Sequence, residues 1–206
     1  MQPEFLALSL VILLFSVIVH EVMHGFVALQ FGDETAKRMG RLTLNPIPHI
    51  DPLGTILFPA LLMLTGSPIL FGWAKPVPVN PLNFSDLRKG ELLVSAAGIL
   101  ANFGLACIAA VLYHILIIVP GTPSLLLELL HYAMTINLIL GVFNLLPVPP
   151  LDGSKVLMSQ LPYNLARAYE RLNQYGFLLL FMLLFTGIPQ TILSLVVGFL
   201  SKLLGF

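Results

Sequence analysis

Val19-His20-Glu21-Val22-Met23-His24-Gly25 lies near the end of a hydrophobic run that begins at Phe5. Residues four apart share one face of an α-helix, a turn from each other, so His20 and His24 can hold the same ion. Imidazole nitrogen suits zinc, which at a hydrolytic site takes three protein ligands and a water. Glu21 points about 100° round the helix from His20, near enough to take a proton from that water without being a ligand. The pattern is H-E-x-x-H. Chance is the plain alternative, but an accidental match arises in only about one in several hundred chains of this composition. One lone histidine is usually a satisfied core residue; two at this spacing beside an acid are not explained that way.

Composition points to a membrane protein. The chain is 57% hydrophobic and 10% charged, against about a quarter charged in soluble domains, and its mean hydropathy is +0.94. Several apolar runs can cross a hydrocarbon core about 30 Å thick. The expected fold is all-α: a polytopic membrane helix bundle of about five spanning helices plus a re-entrant segment over Gly54–Phe71, forming one domain over residues 1–206. The bilayer is then a partner. The formal net charge is zero, and with no basic patch or Gly-rich phosphate loop no nucleic-acid partner is expected. Cys107 is the single cysteine, so an intramolecular disulfide is excluded and the residue is expected to pack as a small hydrophobe. Met1 to Glu4 contains no Lys or Arg, unlike the start of a secretory signal.

In order along the chain, Phe5–Phe31 is apolar on all sides as far as Val19, as a span should be. His20, Glu21 and His24 then fall in the far half of that span, where ionisable groups are costly and mark function. Leu44 to Pro52 carries three prolines and cannot continue a regular helix. Gly54–Phe71 is apolar but broken by Pro59, Gly66 and Pro68; it could be a spanning helix or a re-entrant segment, and hydropathy alone does not decide. Gly72 to Phe84 is a polar-aromatic connector. Glu91–Val119 is helical with a small-residue face (Ser95, Ala96, Ala97, Gly98, Ala101, Gly104), which permits close helix contact in lipid. Ser124–Leu146 is a further helix, broken by Pro147-Val148-Pro149-Pro150-Leu151-Asp152-Gly153. Two apolar runs, Tyr175–Thr186 and Gln190–Leu204, read as a closing hairpin.

Zinc needs a third ligand, and the candidates in or beside apolar segments are Asp51, Glu91, His114, Glu128, His131 and Asp152. Asp152 stands out because it follows a full span in a proline-stiffened segment, with Gly153 to allow an unusual backbone angle. Taken alone, Asp-Gly is an ordinary turn; the histidine pair argues for the ligand. If Asp152 joins His20 and His24 at one depth, Phe5–Phe31 and Ser124–Leu146 must run parallel. Gly54–Phe71 then makes no net crossing, and such backbone is tolerated only inside protein or a water-filled cavity. With this count all ten basic residues, Lys202 included through the hairpin, fall on one face. By the positive-inside rule that face is cytoplasmic and the N-terminus lies outside.

These residues resemble the site-2 protease family of intramembrane zinc metalloproteases. The resemblance rests on His20-Glu21-x-x-His24 in a membrane helix and on Phe143-Asn144-Leu145-Leu146-Pro147-x-x-Pro150-Leu151-Asp152-Gly153 after a later one. Ser95 to Asn102 is similar to the family's small-residue motif, with Ile99 where many members have proline. The resemblance implies one zinc ion held by His20, His24 and Asp152, Glu21 as catalytic acid/base, and Asn144 holding substrate or the oxyanion, with Asn102 a further candidate. It implies a multi-pass protein of a prokaryotic cell membrane acting on membrane-protein or signal-peptide-like substrate helices. It also implies a short branch without the PDZ insertion, nucleotide-binding module or extra leading helix of other members.

The expected chemistry is hydrolysis of a peptide bond by zinc-activated water, with Glu21 as general base and then acid. Substrate helices should unwind readily, and the extended stretches Asn45–Pro52 and Gly72–Val79 are candidates to pair with the unwound strand. His49 either lines the site or is a hydrogen-bonded loop histidine. A non-proteolytic metal-binding transporter or scaffold is the alternative, but it leaves Glu21 without a purpose.

Overall fold

The computed structural model describes residues 3–57, 60–61, 64–65 and 73–206. Eight α-helices run in the order α1 (Pro3–Gln30), α2 (Thr35–Arg38), α3 (Leu87–Leu116), α4 (Ser124–Leu145), α5 (Asp152–Gln160), α6 (Tyr163–Glu170), α7 (Gly176–Phe185) and α8 (Ile188–Leu203), among the described residues. Short 3-10 turns occur at Ile47–His49, Pro81–Asn83 and Arg171–Tyr175, and a π turn at Pro52–Leu57. No strand is formed among the described residues. The chain is thus all-helical, as its composition predicts.

Among the described residues three helices, α1, α3 and α4, are long and apolar enough to cross a membrane. Exposed Leu10, Val11 and Phe15 on α1, and Ile108, Val111 and Ile115 on α3, give the bundle an apolar exterior. Cys107 is exposed on that exterior, not packed inside as its apolar surroundings suggested.

Contacts along the helices set their directions. Phe5 meets Tyr132 with ring centroids 5.9 Å apart, and Ser16 bonds Asn137 at 2.8 Å, so α1 and α4 run the same way. His24 reaches Val94 and His20 reaches Asn102, so α3 runs opposite to α1. The amide of Ser85 donates to the Phe31 carbonyl at 2.8 Å. The connection from α1 to α3 therefore starts and ends at one end of the bundle and makes no net crossing. Most of Gly54–Phe71, the re-entrant segment expected from sequence, lies outside the described residues.

α3 is the central helix. Asp86 caps it by accepting from the Lys89 amide at 3.0 Å. Its buried stripe of Val94, Gly98, Asn102, Ala106 and Ala110 has a spacing of four, the short side chains letting α1 and α4 approach on either flank. Gly104, expected on that face, is exposed.

The C-terminal segment departs from the hairpin expected. Tyr163–Phe185 and Ile188–Leu203 meet at a 75° bend, and only together are they long and apolar enough to count as a span. Gly187, with φ +73°, makes the break, and Pro189 opens the next helix. At 1.5 Å per residue α7 covers about 15 Å and α8 about 24 Å, each short of the roughly 30 Å core. Gly176 sits against Pro149 and Pro150, just before Asp152 in the chain. At the other end His114 Nε2 donates to the Leu204 carbonyl at 2.7 Å, and the Phe206 ring lies 4.6 Å from Tyr113. The two helices thus make one passage rather than two, and the expected count of about five spans is not established. This passage carries Lys202 to the end opposite the site, so nine of the ten basic residues, not all ten, share the site's end.

Candidate active site

His20, His24 and Asp152 converge at the end of the bundle where α1 finishes. They are 7%, 9% and 8% exposed. His20 Nε2 and His24 Nε2 are 3.1 Å apart, and each is 3.1 Å from Asp152 Oδ2. Helical spacing supplies the histidine pair. Asp152 arrives because α4 runs parallel to α1 and the 146–151 segment turns α5 back under it.

The outer nitrogen of each ring is already bound. His24 Nδ1 donates to the Val94 carbonyl at 2.7 Å, and His20 Nδ1 lies 2.7 Å from Asn102 Oδ1. A neutral imidazole has one N–H. Both Nε2 atoms are therefore acceptors, and they face a carboxylate oxygen that is buried and receives no hydrogen bond. Three acceptor atoms packed this closely repel one another unless a cation lies between them. Ligands at about 2.0–2.2 Å around a tetrahedral zinc stand about 3.3–3.6 Å apart, and the observed edges fall within a few tenths of an ångström of that. Two imidazoles and one carboxylate also form a donor set suited to hydrolytic zinc. The residues fit the ion.

Gly98 makes room for the rings. A Cβ there would lie 2.6 Å from His20 Cε1 and from His24 Nε2. Gly153 does the same for Asp152, since a Cβ would overlap the Leu145 carbonyl. Its φ is not positive, so close approach, not an unusual backbone angle, requires glycine here.

Glu21 lines the same cavity, of about 400 Å³, together with Val77, Glu91, Asn144 and Asp152. Its Oε2 accepts from the Val77 amide at 2.8 Å; its Oε1 accepts no hydrogen bond among the described residues. The extended chain from Trp73 to Asn80 is bound along its length. The Lys75 amide donates to the His49 carbonyl at 2.9 Å, buried Arg41 donates to the Lys75 carbonyl at 2.8 Å, and the Asn80 amide donates to Asp33 Oδ2 at 2.7 Å. Asp33 is fully buried. Burial pushes its carboxyl up, but bonds from the Thr35 hydroxyl, the Asn80 amide and Asn83 outweigh this and hold it below the ordinary carboxyl value.

The other predicted residues divide. Asn144 lines the cavity, giving one amide hydrogen to its own helix at Leu140 O, 3.1 Å away. Asn102 is fully buried behind His20, where a substrate does not reach it. His49 is also fully buried and donates to the Thr43 carbonyl at 2.9 Å, so it is the hydrogen-bonded loop histidine. Of the other ligand candidates, Glu91 lines the cavity outside the triangle, and Asp51 accepts from the Leu53 and Gly54 amides. His131 and Glu128 line a separate cavity of about 510 Å³ at the far end. Sequence reasoning missed Val77, Arg41 and Asp33, whose contacts are far apart in the chain.

Fold and site together fit a membrane-type metalloprotease, and the comparisons with known proteins carry that class. The model of peptidase family M50 matches residues 115–186. YwhC of Bacillus subtilis, named by inference as a zinc metalloprotease, is 38% identical over 194 residues, covering 92% of this chain and 84% of its own. Rip2 of Mycolicibacterium smegmatis, named likewise, is 30% identical over 181 residues, covering 84% of this chain and 64% of its own. MJ0611 of Methanocaldococcus jannaschii, again so named, is 34% identical over 161 residues, covering 75% and 73%. No solved structure matches the chain. The chain belongs to peptidase family M50, the site-2 protease family of zinc metalloproteases.

Proposed function

We propose that this protein cleaves peptide bonds within or near transmembrane segments of membrane-protein or signal-peptide-like substrates, using one zinc ion per chain. The observation that carries the reading is the triangle of three buried acceptor atoms at 3.1 Å with Glu21 beside it in one cavity. His20, His24 and Asp152 would hold the ion, which when bound would lower the pKa of a water to near 7 and polarise a carbonyl.

Glu21 does the proton work. Its Oε2 is fixed by the Val77 amide, which leaves Oε1 to accept the proton from the attacking water and return it to the leaving amine. Asn144 has a second amide hydrogen to offer the oxyanion. A helical substrate is protected by its internal hydrogen bonds, so it must unwind to react. The 73–80 chain forms one wall of the cavity and is extended, which suits pairing with an unwound strand. Pro76 and Pro78 have no N–H, and Arg41 already donates to the Lys75 and Pro76 carbonyls, so the middle of this chain has the Val77 and Pro78 carbonyls to offer the substrate's amides.

The gathering of nine basic residues at the site's end supports a cytoplasmic placement of that end, with the N-terminus outside. The bacterial and archaeal relatives support a prokaryotic cell membrane.

The test is metal analysis of purified wild type, Glu21→Gln and Asp152→Ala, with cleavage assays on a panel of single-span peptides. Glu21→Gln should keep zinc and lose hydrolysis; Asp152→Ala should lose both. Undiminished hydrolysis by Glu21→Gln would overturn the mechanism, and undiminished function without any peptide cleavage would favour a non-proteolytic metal-binding protein.

A further inference from the structure

A chain of buried hydrogen bonds runs from His20 through three helices. His20 Nδ1 lies 2.7 Å from Asn102 Oδ1 on α3. Asn102 Nδ2 donates to Asn137 Oδ1 on α4 at 2.9 Å. Asn137 Nδ2 donates to the Ala133 carbonyl at 2.9 Å and to Ser16 Oγ on α1 at 2.8 Å. Ser16 donates to the Ile12 carbonyl at 2.8 Å. Asn102, Asn137 and Ser16 are 0%, 2% and 1% exposed.

The direction of every bond follows from the two ends, which are main-chain carbonyls and can only accept. The single Ser16 hydrogen goes to Ile12 O, so its oxygen accepts from Asn137. With its NH2 committed to Ser16 and Ala133, Asn137 must turn its oxygen to Asn102. Asn102 must then present its NH2 to Asn137 and its oxygen to His20. His20 is left with one arrangement, a hydrogen on Nδ1 and a lone pair on Nε2, aimed at the ligand triangle. His24 obtains the same result from one carbonyl, Val94 O.

We propose that Asn137 is a positioning residue: through Asn102 it fixes the tautomer and orientation of the His20 ring for zinc. It contacts neither substrate nor metal, and no motif in the sequence marks it. The proposal rests on His20 being a zinc ligand. Outer partners of ligating histidines are worth about 10- to 100-fold in metal affinity. That range sets the expected effect.

The experiment uses the full chain in detergent. Zinc affinity is measured by competition with a chromophoric chelator, and the histidine tautomers of metal-free, 15N-histidine-labelled protein are read by NMR. In wild type at alkaline pH, where the rings are neutral, His20 should carry its proton on Nδ1; a neutral His20 ring protonated on Nε2 instead overturns the proposal without any variant. Asn137→Leu should weaken zinc about 10- to 100-fold and mix the His20 tautomers, leaving His24 unchanged. Asn137→Asp, buried and so protonated, can still donate to Ala133 O and accept from Asn102, and should stay within about threefold of wild type. A purely structural role predicts the reverse order for these two variants, and that order overturns the proposal. Leu138→Ala, a buried apolar neighbour, should destabilise the bundle yet leave zinc affinity and both tautomers alone; an equal loss there also overturns it. Wild type that binds no zinc defeats the metal-site reading itself, whereas zinc binding indifferent to Asn137 defeats only this inference.

Discussion

The Val77 main-chain amide donates to Glu21 Oε2 at 2.8 Å. This bond ties the metal-motif helix to the extended chain over the cleft, at the side chain proposed to carry the proton. A carboxylate on a flexible stem is held by a backbone that Arg41, His49 and Asp33 hold in turn.

Val77→Pro removes that N–H while keeping extended backbone. A hydrogen bond to a charged group is worth about 1.5–3 kcal/mol, so kcat/KM should fall about 10- to 150-fold with zinc content unchanged. Val77→Ala keeps the N–H and should retain most activity. Equal losses in the two variants would assign the effect to side-chain packing on Gly25 instead.

Gly98→Ala should damage the metal site before it damages the fold. The three atoms nearest the added methyl all belong to the His20 and His24 rings, which give way by rotating out of the triangle. Zinc affinity should drop at least about tenfold, with helical circular dichroism preserved. Wild-type affinity would show that the rings do not need their present positions.

Gly153→Ala should act on both. Its methyl would overlap the Leu145 and Leu146 carbonyls, main-chain atoms that cannot rotate away, so α5 must lift from α4 and take Asp152 with it. Overpacking of this kind costs about 1–3 kcal/mol or more. The melting temperature should fall and zinc be lost together, read by thermal unfolding and metal analysis of the same sample.

Asp33 sets an acid limit on the clamp over the cleft. Its folded pKa lies below its ordinary value, so its stabilisation is complete above the unfolded pKa of about 4 and is lost as pH falls through the folded one. Asp33→Asn should melt below wild type at pH 7, and the gap should close as pH drops below about 4. A gap that stays constant from pH 7 to pH 3 would remove the carboxylate from this role.

The sequence by itself determined what helix periodicity and composition control. The four-residue step from His20 to His24 places two imidazoles together in any helix, because helical geometry comes from local hydrogen bonds. The apolar runs fixed α1, α3 and α4 to within a few residues, since a bilayer demands long helices with satisfied backbones. Asp152 and the parallel course of α1 and α4 were reachable because one ion needs three ligands at one depth.

Tertiary structure alone decided which faces meet. Lipid tails are as apolar as leucine, so hydropathy does not say which helix packs on which; small residues and polar partners do. That is why Asn102, a substrate-binding candidate by resemblance, stands behind His20 with Asn137 and Ser16 at its back. It is why Gly153 is needed for space rather than for its backbone angle. It is also why Lys202 ends at the far end: the 75° bend at Gly187 turns two short apolar runs into one passage, and no local pattern records the angle at which two helices join.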